Sequence, residues 1–168
     1  MTAFHGFVDE SVRPGTYRLT VVRVPTPKLA ETSKVVRAAI LPGQFRIHLS
    51  GERPPRQRSI LRTYGRLNVT ATVYEAPYRR GDDDQPARDL CLKALVADLE
   101  QAPLGVLVLD TRGPHRDRLD RVTLALALPR DHIVRYSHRG SRDEPLLSLP
   151  DAIGWAVGAG KTHRSLID

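Results

Sequence analysis

The stretch Ala3-Phe4-His5-Gly6-Phe7-Val8-Asp9-Glu10-Ser11 sets the reading of the whole chain: an apolar strand that runs straight into two adjacent carboxylates, followed by a turn at Pro14-Gly15. A strand inside a sheet has no structural use for an unpaired acid, because desolvating a carboxylate is costly unless something positive meets it. The same pattern recurs at Gly105-Val106-Leu107-Val108-Leu109-Asp110, an apolar run that again ends on an aspartate. A third isolated acid, Asp151, lies in the late apolar segment from Leu146 to Val157. One reading gathers the three acids around a divalent metal; the other has each acid cap its own strand or helix.

Outward from the first strand, Thr16 to Val24 is rich in β-branched residues, stops at Pro25 and predicts the second arm of a hairpin. Lys28 to Leu41 turns helical, with Leu29, Val36 and Ile40 on one side and a stop at Pro42-Gly43. Phe45 to Ser50 alternates apolar and polar and predicts a short strand, with Gly51 to Pro55 as a loop. A basic helix follows from Arg56 to Leu67, its apolar stripe Ile60, Leu61, Tyr64 and Leu67. Asn68 to Ala76 predicts a strand, and Pro86 to Gln101 a helix with Leu90, Ala94, Leu95 and Leu99 inward. After the Asp110 strand come a helix from Arg116 to Leu128 with Leu119, Val122 and Leu126 inward, a short strand His132 to Tyr136, and a final helix Leu149 to Ala159. Strands alternating with helices after an opening antiparallel hairpin predict an α/β fold with a mixed sheet and helices on both faces. Residues 1–168 read as one domain, with no repeat or linker.

Hydrophobic residues at 40% and charged residues at 27% are the proportions of a soluble globular chain, which sets aside disordered and membrane classes. No apolar run approaches the ~20 residues of a membrane span, and the N-terminus lacks the layout of a signal peptide. The single Cys91 excludes an intrachain disulfide and sits in a helical pattern as a core residue, so the expectation is a reducing cytoplasm. Net charge is +7, carried by 22 arginines and 4 lysines. Arginine's planar fork suits phosphate, although so lopsided a ratio also follows from a GC-rich codon bias. One tryptophan, three phenylalanines and five tyrosines give little sign of stacking on unpaired bases.

Several chemistries are excluded. Gly158-Ala159-Gly160-Lys161-Thr162 lacks the first glycine of a phosphate-binding loop, since that position is Trp155, and it follows a helix; Gly158 and Gly160 read as a helix stop. No Gly-x-Ser-x-Gly elbow is present, and scattered histidines with one cysteine do not make a zinc site. Asp82-Asp83-Asp84 lacks the spacing of a calcium loop and reads as a solvated turn before a helix. What remains is the carboxylates. Hard cations such as Mg²⁺ or Mn²⁺ take oxygen ligands, and a pair of them can activate water and stabilise the leaving oxygen of a phosphodiester. Such a site needs acids from the ends of neighbouring strands and one from a helix across them, an arrangement that Asp9, Asp110 and Asp151 fit.

Phe7-Val8-Asp9-Glu10-Ser11 resembles the opening signature of a large bacterial family of unknown function with an RNase H-like fold, often encoded near mobile elements or defence genes. Its later motifs are matched by His48-Leu49-Ser50-Gly51-Glu52, by Val106-Leu107-Val108-Leu109-Asp110, and by Ser141 with Leu146-Leu147-Ser148-Leu149-Pro150-Asp151-Ala152-Ile153. Ser148 and Pro150 stand where the family carries glutamine and alanine, and Gly51 is an extra residue in the middle motif. The resemblance implies a divalent-metal-dependent nuclease acting on RNA or DNA, with Asp9, Asp110 and Asp151 as metal ligands. The fourth catalytic acid is Glu52 at the start of the basic helix or Glu75 at the end of its strand, Glu52 being preferred. Glu10 alternates away from Asp9, so it points outward or pairs with an arginine. His48 either shuttles a proton or orients a phosphate, or serves as a partly buried structural residue. Arg53, Arg56, Arg79, Arg80 and Arg112 either line a groove for the nucleic-acid backbone or form a solvated basic surface. The departures from the family pattern leave two alternatives open: a catalytically silent nucleic-acid-binding module, and a subunit that meets an acidic protein partner in a defence or mobile-element system.

Overall fold

The computed structural model describes residues 3–160 together with His163 and Ile167. Strands β1 (Phe4–Arg13) and β2 (Gly15–Pro25) pair antiparallel from Phe4↔Pro25 to Arg13↔Thr16. The reversal is the two-residue turn Pro14-Gly15, where Gly15 takes φ +82°, a conformation open to glycine and strained for other residues. Strand β3 (Thr70–Tyr78) adds antiparallel to the outer side of β2. On the inner side, β4 (Val106–Asp110) pairs parallel with β1, and β5 (Arg135–Arg139) pairs parallel with β4. The order is β3-β2-β1-β4-β5, which puts β1 at the centre of a mixed five-stranded sheet.

Helices cover both faces. Helices α1 (Leu29–Ala39), α2 (Pro54–Tyr64) and α5 (Ser148–Ala159) accompany a core of Phe7, Val22, Val24, Val36, Ile60, Leu61, Val108, Leu149, Ala152 and Ala156. Helices α3 (Gln85–Ala97) and α4 (Pro114–Ala127) accompany the opposite core of Val8, Leu19, Val21, Cys91, Leu92, Leu95, Leu107, Leu109 and Leu124. Strand alternation accounts for the division: Phe7 and Val108 face α5, while Val8 and Leu109 face α3 and α4. Cys91 is buried and free, as its helical setting predicts, and burial pushes its thiol up to about 11. No helix among the described residues is long and apolar enough to cross a membrane.

Several expected elements are corrected. Phe45 to Ser50 is not a strand; it runs as bends into a 3-10 turn at Leu49–Gly51. Its alternation is real, with Ile47 and Leu49 buried and Phe45, Arg46 and His48 outside, but it arises from a loop pressed on α5 rather than from a ladder. Pro54-Pro55 is the first turn of α2 rather than loop, since proline's missing N–H costs nothing there. The short strand is Arg135–Arg139 rather than His132 to Tyr136.

The inward faces of α3 and α4 are also not those the apolar residues predict. Leu90, Val122 and Leu126 are exposed at 58%, 49% and 81%, whereas Arg88, Asp117 and Asp120 are buried. The guanidinium of Arg88, fully buried, donates to both oxygens of Asp120 at 2.7 and 2.8 Å, to Glu10 Oε2 at 2.8 Å and to the Tyr17 hydroxyl at 3.0 Å. His138 Nε2 meets Asp120 Oδ2 at 3.0 Å. An ion pair therefore occupies the centre of the α3–α4 seam, and the helices turn to accommodate it. Burial alone would raise the Asp120 pKa, but the bonds from His138 and Arg88 outweigh it and bring Asp120 down to about 2.

Candidate metal centre

The last paired residues of β1 and β4 are Val8 and Leu109, so Asp9 and Asp110 follow side by side where the parallel pairing stops, Asp110 at the end of β4 and Asp9 midway along β1. Alternation turns both towards the face covered by α5. Asp151 lies in the first turn of α5, and Ser148, Leu149, Pro150 and Ala152 around it are buried. Pro150 fits because the first turn of a helix has no partner for its N–H. One turn further, Gly154 lets α5 lie close on β1 and β2: a Cβ there would stand 2.7 Å from Thr20 Oγ1 and 3.4 Å from Ser11 Oγ. The Tyr64 hydroxyl lies 2.7 Å from Ser148 Oγ and ties α2 to the start of α5.

Asp9, Asp110 and Asp151 line one pocket of about 260 Å³ with Glu10, Arg46, Ile47, His48, Ser141 and Leu147. Among the described residues, no three acids, histidines or cysteines already stand close enough to hold a metal ion as a finished cage. The acids nonetheless feel one another. Burial raises the Asp9 carboxyl well above the usual range, and the charges of Glu10, Asp151 and Asp110 add to it, against a 2.8 Å bond from the Glu10 N–H. Burial and Glu10 likewise push Asp110 up to about 6, with Arg46 pulling the other way. Among the described residues neither Asp9 nor Asp110 has an ion-pair partner, in contrast to the acids of the α3–α4 seam.

Asp151 is held differently. Its Oδ2 accepts the Leu49 N–H at 2.8 Å and its Oδ1 lies 2.9 Å from His48 Nδ1. His48 Nε2 in turn lies 2.9 Å from Ser50 Oγ. The bond to Asp151 raises the His48 pKa against the opposing effect of burial. His48 is 55% exposed at the pocket mouth, more open than a partly buried structural residue.

The remaining predicted residues fall into two groups. Glu10 points to the α3 side and pairs with Arg88 at 2.8 Å and Arg112 at 3.3 Å, the pairing its alternation implies. Glu52 does not line the pocket; it accepts from Gln44 at 2.9 Å and faces Arg56 at 3.6 Å. Glu75 is on β3, paired with Arg18 at 2.6 Å. Arg112 is mostly buried between Glu10 and Asp84, and Arg56 donates to the Ala39 carbonyl, so both already have partners within the chain. Arg53, Arg79 and Arg80 are exposed and lie outside the pocket lining. Of the glycines read as a helix stop, Gly160 caps α5 at φ +101°, while Lys161 and Thr162 lie outside the described residues.

Two pocket residues were missed as site residues. Arg46 donates to Ser141 Oγ at 3.0 Å and is the cation that acts on Asp110. Arg46 gives no signal beyond being one arginine among 22, in a segment whose alternation predicts a strand. Ser141 did belong to a motif of the family resemblance, but without a role.

No family model matches the chain, and no curated protein matches it. Among solved structures it is similar to a chain of the PCNA:RNase HII complex from Archaeoglobus fulgidus, with TM-score 0.58 and 10% sequence identity, covering 98% of this chain and 79% of that one. At that identity the likeness concerns the fold: the chain has an RNase H-like fold.

Proposed function

We propose that this chain is a divalent-metal-dependent nuclease whose metal-binding acids are Asp9, Asp110 and Asp151. The observation that carries the reading is that three acids from β1, β4 and α5 line one pocket, two of them raised in pKa by burial and by neighbouring carboxylates, with no ion-pair partner among the described residues. Such a group is destabilising until a cation compensates it, and carboxylate oxygens are the donors that Mg²⁺ or Mn²⁺ prefers. When bound, the cation supplies charge for an attacking water and for the leaving oxygen of a phosphodiester.

The chain's own residues supply the rest. Asp9 and Asp110 would hold the cation, and Asp151 would complete the site from α5 while keeping His48 in place. His48, at the pocket mouth with its pKa raised, is suited to hold or pass a proton near the leaving group. Glu10, paired with Arg88 and Arg112, is not an open ligand, though its charge still raises Asp9 and Asp110. Glu52 is a weaker candidate for the fourth acid, because it is bonded elsewhere.

The test is cleavage of single-stranded, duplex and hybrid RNA and DNA in Mn²⁺. Wild type is expected to cut at least one substrate, and Asp110→Asn to lose at least a hundredfold in rate, of the order seen when a charged catalytic group is removed. Equal cleavage by the two proteins would refute the proposal. A second reading, binding without hydrolysis, is favoured by the engagement of both Asp151 oxygens; nucleic-acid binding with no turnover in any metal would support it.

A further inference from the structure

Beside the acid pocket, and sharing Arg46 and Ser141 with it, lies a second depression, formed where the loop 43–46 meets the loop 140–142. Its wall carries Arg46 and Arg142 and no carboxylate. Phe45 stands in it with the Arg142 guanidinium 4.0 Å from its ring centre, yet the residue is still 68% exposed. Of the three phenylalanines, Phe7 is in the core and Phe4 packs at its edge, so Phe45 alone is offered to solvent. An isolated aromatic held by an arginine is poor use of apolar surface unless something flat covers it.

We propose that Phe45 and Arg142 form a stacking platform for one unpaired nucleobase, and that Arg46 takes the phosphate joining that nucleotide to the one in the acid pocket. The proposal deepens the nuclease reading and rests on it for the direction of the strand, since the platform and the acids share a wall. Three observations converge. An aromatic ring with a guanidinium on it presents the π surface that every base accepts, whatever its sequence. Arg46 is fixed by its bond to Ser141 at the border of the two depressions, where a phosphate between neighbouring nucleotides would lie. The positive wall excludes an acidic protein side chain no more than a phosphate, but only a base gives the ring its stacking partner. The preferred substrate is therefore a single strand, or an end whose terminal nucleotides are unpaired, because a base within a duplex has no free face.

The experiment is fluorescence anisotropy with short labelled oligonucleotides, single-stranded RNA, single-stranded DNA and the corresponding duplexes, in EDTA at low salt so that no cleavage intervenes. Single strands are expected to bind more tightly than duplexes, and the two single-stranded arms tell which sugar is accepted. Phe45→Ala should weaken single-strand binding about tenfold and leave duplex binding unchanged, whereas Phe45→Tyr should bind like wild type. Arg46→Gln should lower the slope of log affinity against log salt by about one unit. Cleavage by wild type is read separately in Mn²⁺, so a failure of the hydrolytic reading leaves this binding result standing and is recognised separately. Tighter binding of duplex than of single strand, or equal single-strand binding by Phe45→Ala and wild type, would overturn the platform.

Discussion

Asp151 anchors the segment that carries His48: one carboxylate oxygen accepts the Leu49 N–H at 2.8 Å and the other lies 2.9 Å from His48 Nδ1. The residue proposed to complete the metal site from α5 is thus also the residue that shapes the pocket's far wall. Removing the charge should be felt in both roles. Asp151→Asn keeps one acceptor for Leu49 but loses the charge facing His48, so the His48 pKa should fall back towards 6.5, as followed by NMR titration of the ring. The sign for stability follows: a histidine whose folded pKa is raised stabilises below 6.5 and loses that contribution as pH rises through the folded value. Asp151→Asn should therefore cost more stability at mildly acidic pH than at alkaline pH.

Asp110 has the opposite linkage. Its folded pKa of about 6 exceeds its ordinary 3.8, so between those values the folded chain binds more protons than the unfolded one. Stability then falls as pH rises across that window, and the charged form is a liability at neutral pH. Without divalent metal near neutral pH, Asp110→Asn should raise stability by about 1 kcal/mol, after discounting for the residue's partial exposure, or about 2–4 °C in Tm. A lower Tm for the variant in EDTA would contradict the account of Asp110 as an uncompensated acid.

The close approach of α5 to the sheet predicts a cost at Gly154. Alanine there gains about 1 kcal/mol of helix propensity. Its Cβ, however, would stand 2.7 Å from Thr20 Oγ1, a buried and stiff β-branched side chain. Overpacking of this kind costs roughly 1–3 kcal/mol, so Gly154→Ala should be net destabilising by about 1 kcal/mol in urea. It should also weaken Mn²⁺ binding, because Asp151 is one turn away on the same helix.

Arg88 is a separate matter of stability. Arg88→Met leaves the buried Asp120 without its arginine, and Glu10 with Arg112 alone, and should cost about 3–5 kcal/mol in denaturant unfolding. The double variant Arg88→Met with Asp120→Leu should recover part of that loss, since it removes the stranded charge at the centre. Asp120, held down to about 2, stabilises fully above its ordinary 3.8 and loses that contribution as pH falls through about 2. Acid unfolding of wild type should therefore be partly attributable to this residue.

The acids of the site were legible because they break a simple rule: an apolar strand ending on an aspartate, twice, at positions the parallel register brings together. Asp151 was legible for the same reason, as a lone carboxylate in an apolar helix whose proline marks its first turn. The faces of α3 and α4 were not legible, because Leu90, Val122 and Leu126 suggest an inward stripe and nothing local announces that Arg88 and Asp120 take the interior together. An ion pair between residues 32 apart has no periodic signature. The 45–50 segment misled in another way, since a loop that buries every second residue against a helix has the alternation of a strand. Glu52 looked like the fourth acid from its place in a motif, but its position relative to the pocket depends on how the loop after α1 turns, and there it meets Gln44 and Arg56.

The central claim is that Asp9, Asp110 and Asp151 together gather a divalent cation, and thermal unfolding with and without Mn²⁺ tests it most directly. Saturating Mn²⁺ should raise the wild-type Tm by several degrees over EDTA, corresponding to about 2.7 kcal/mol at a hundredfold excess over Kd, while Asp9→Asn and Asp110→Asn should show little or no rise. A wild-type Tm indifferent to Mn²⁺, or a rise that both variants share in full, would contradict it.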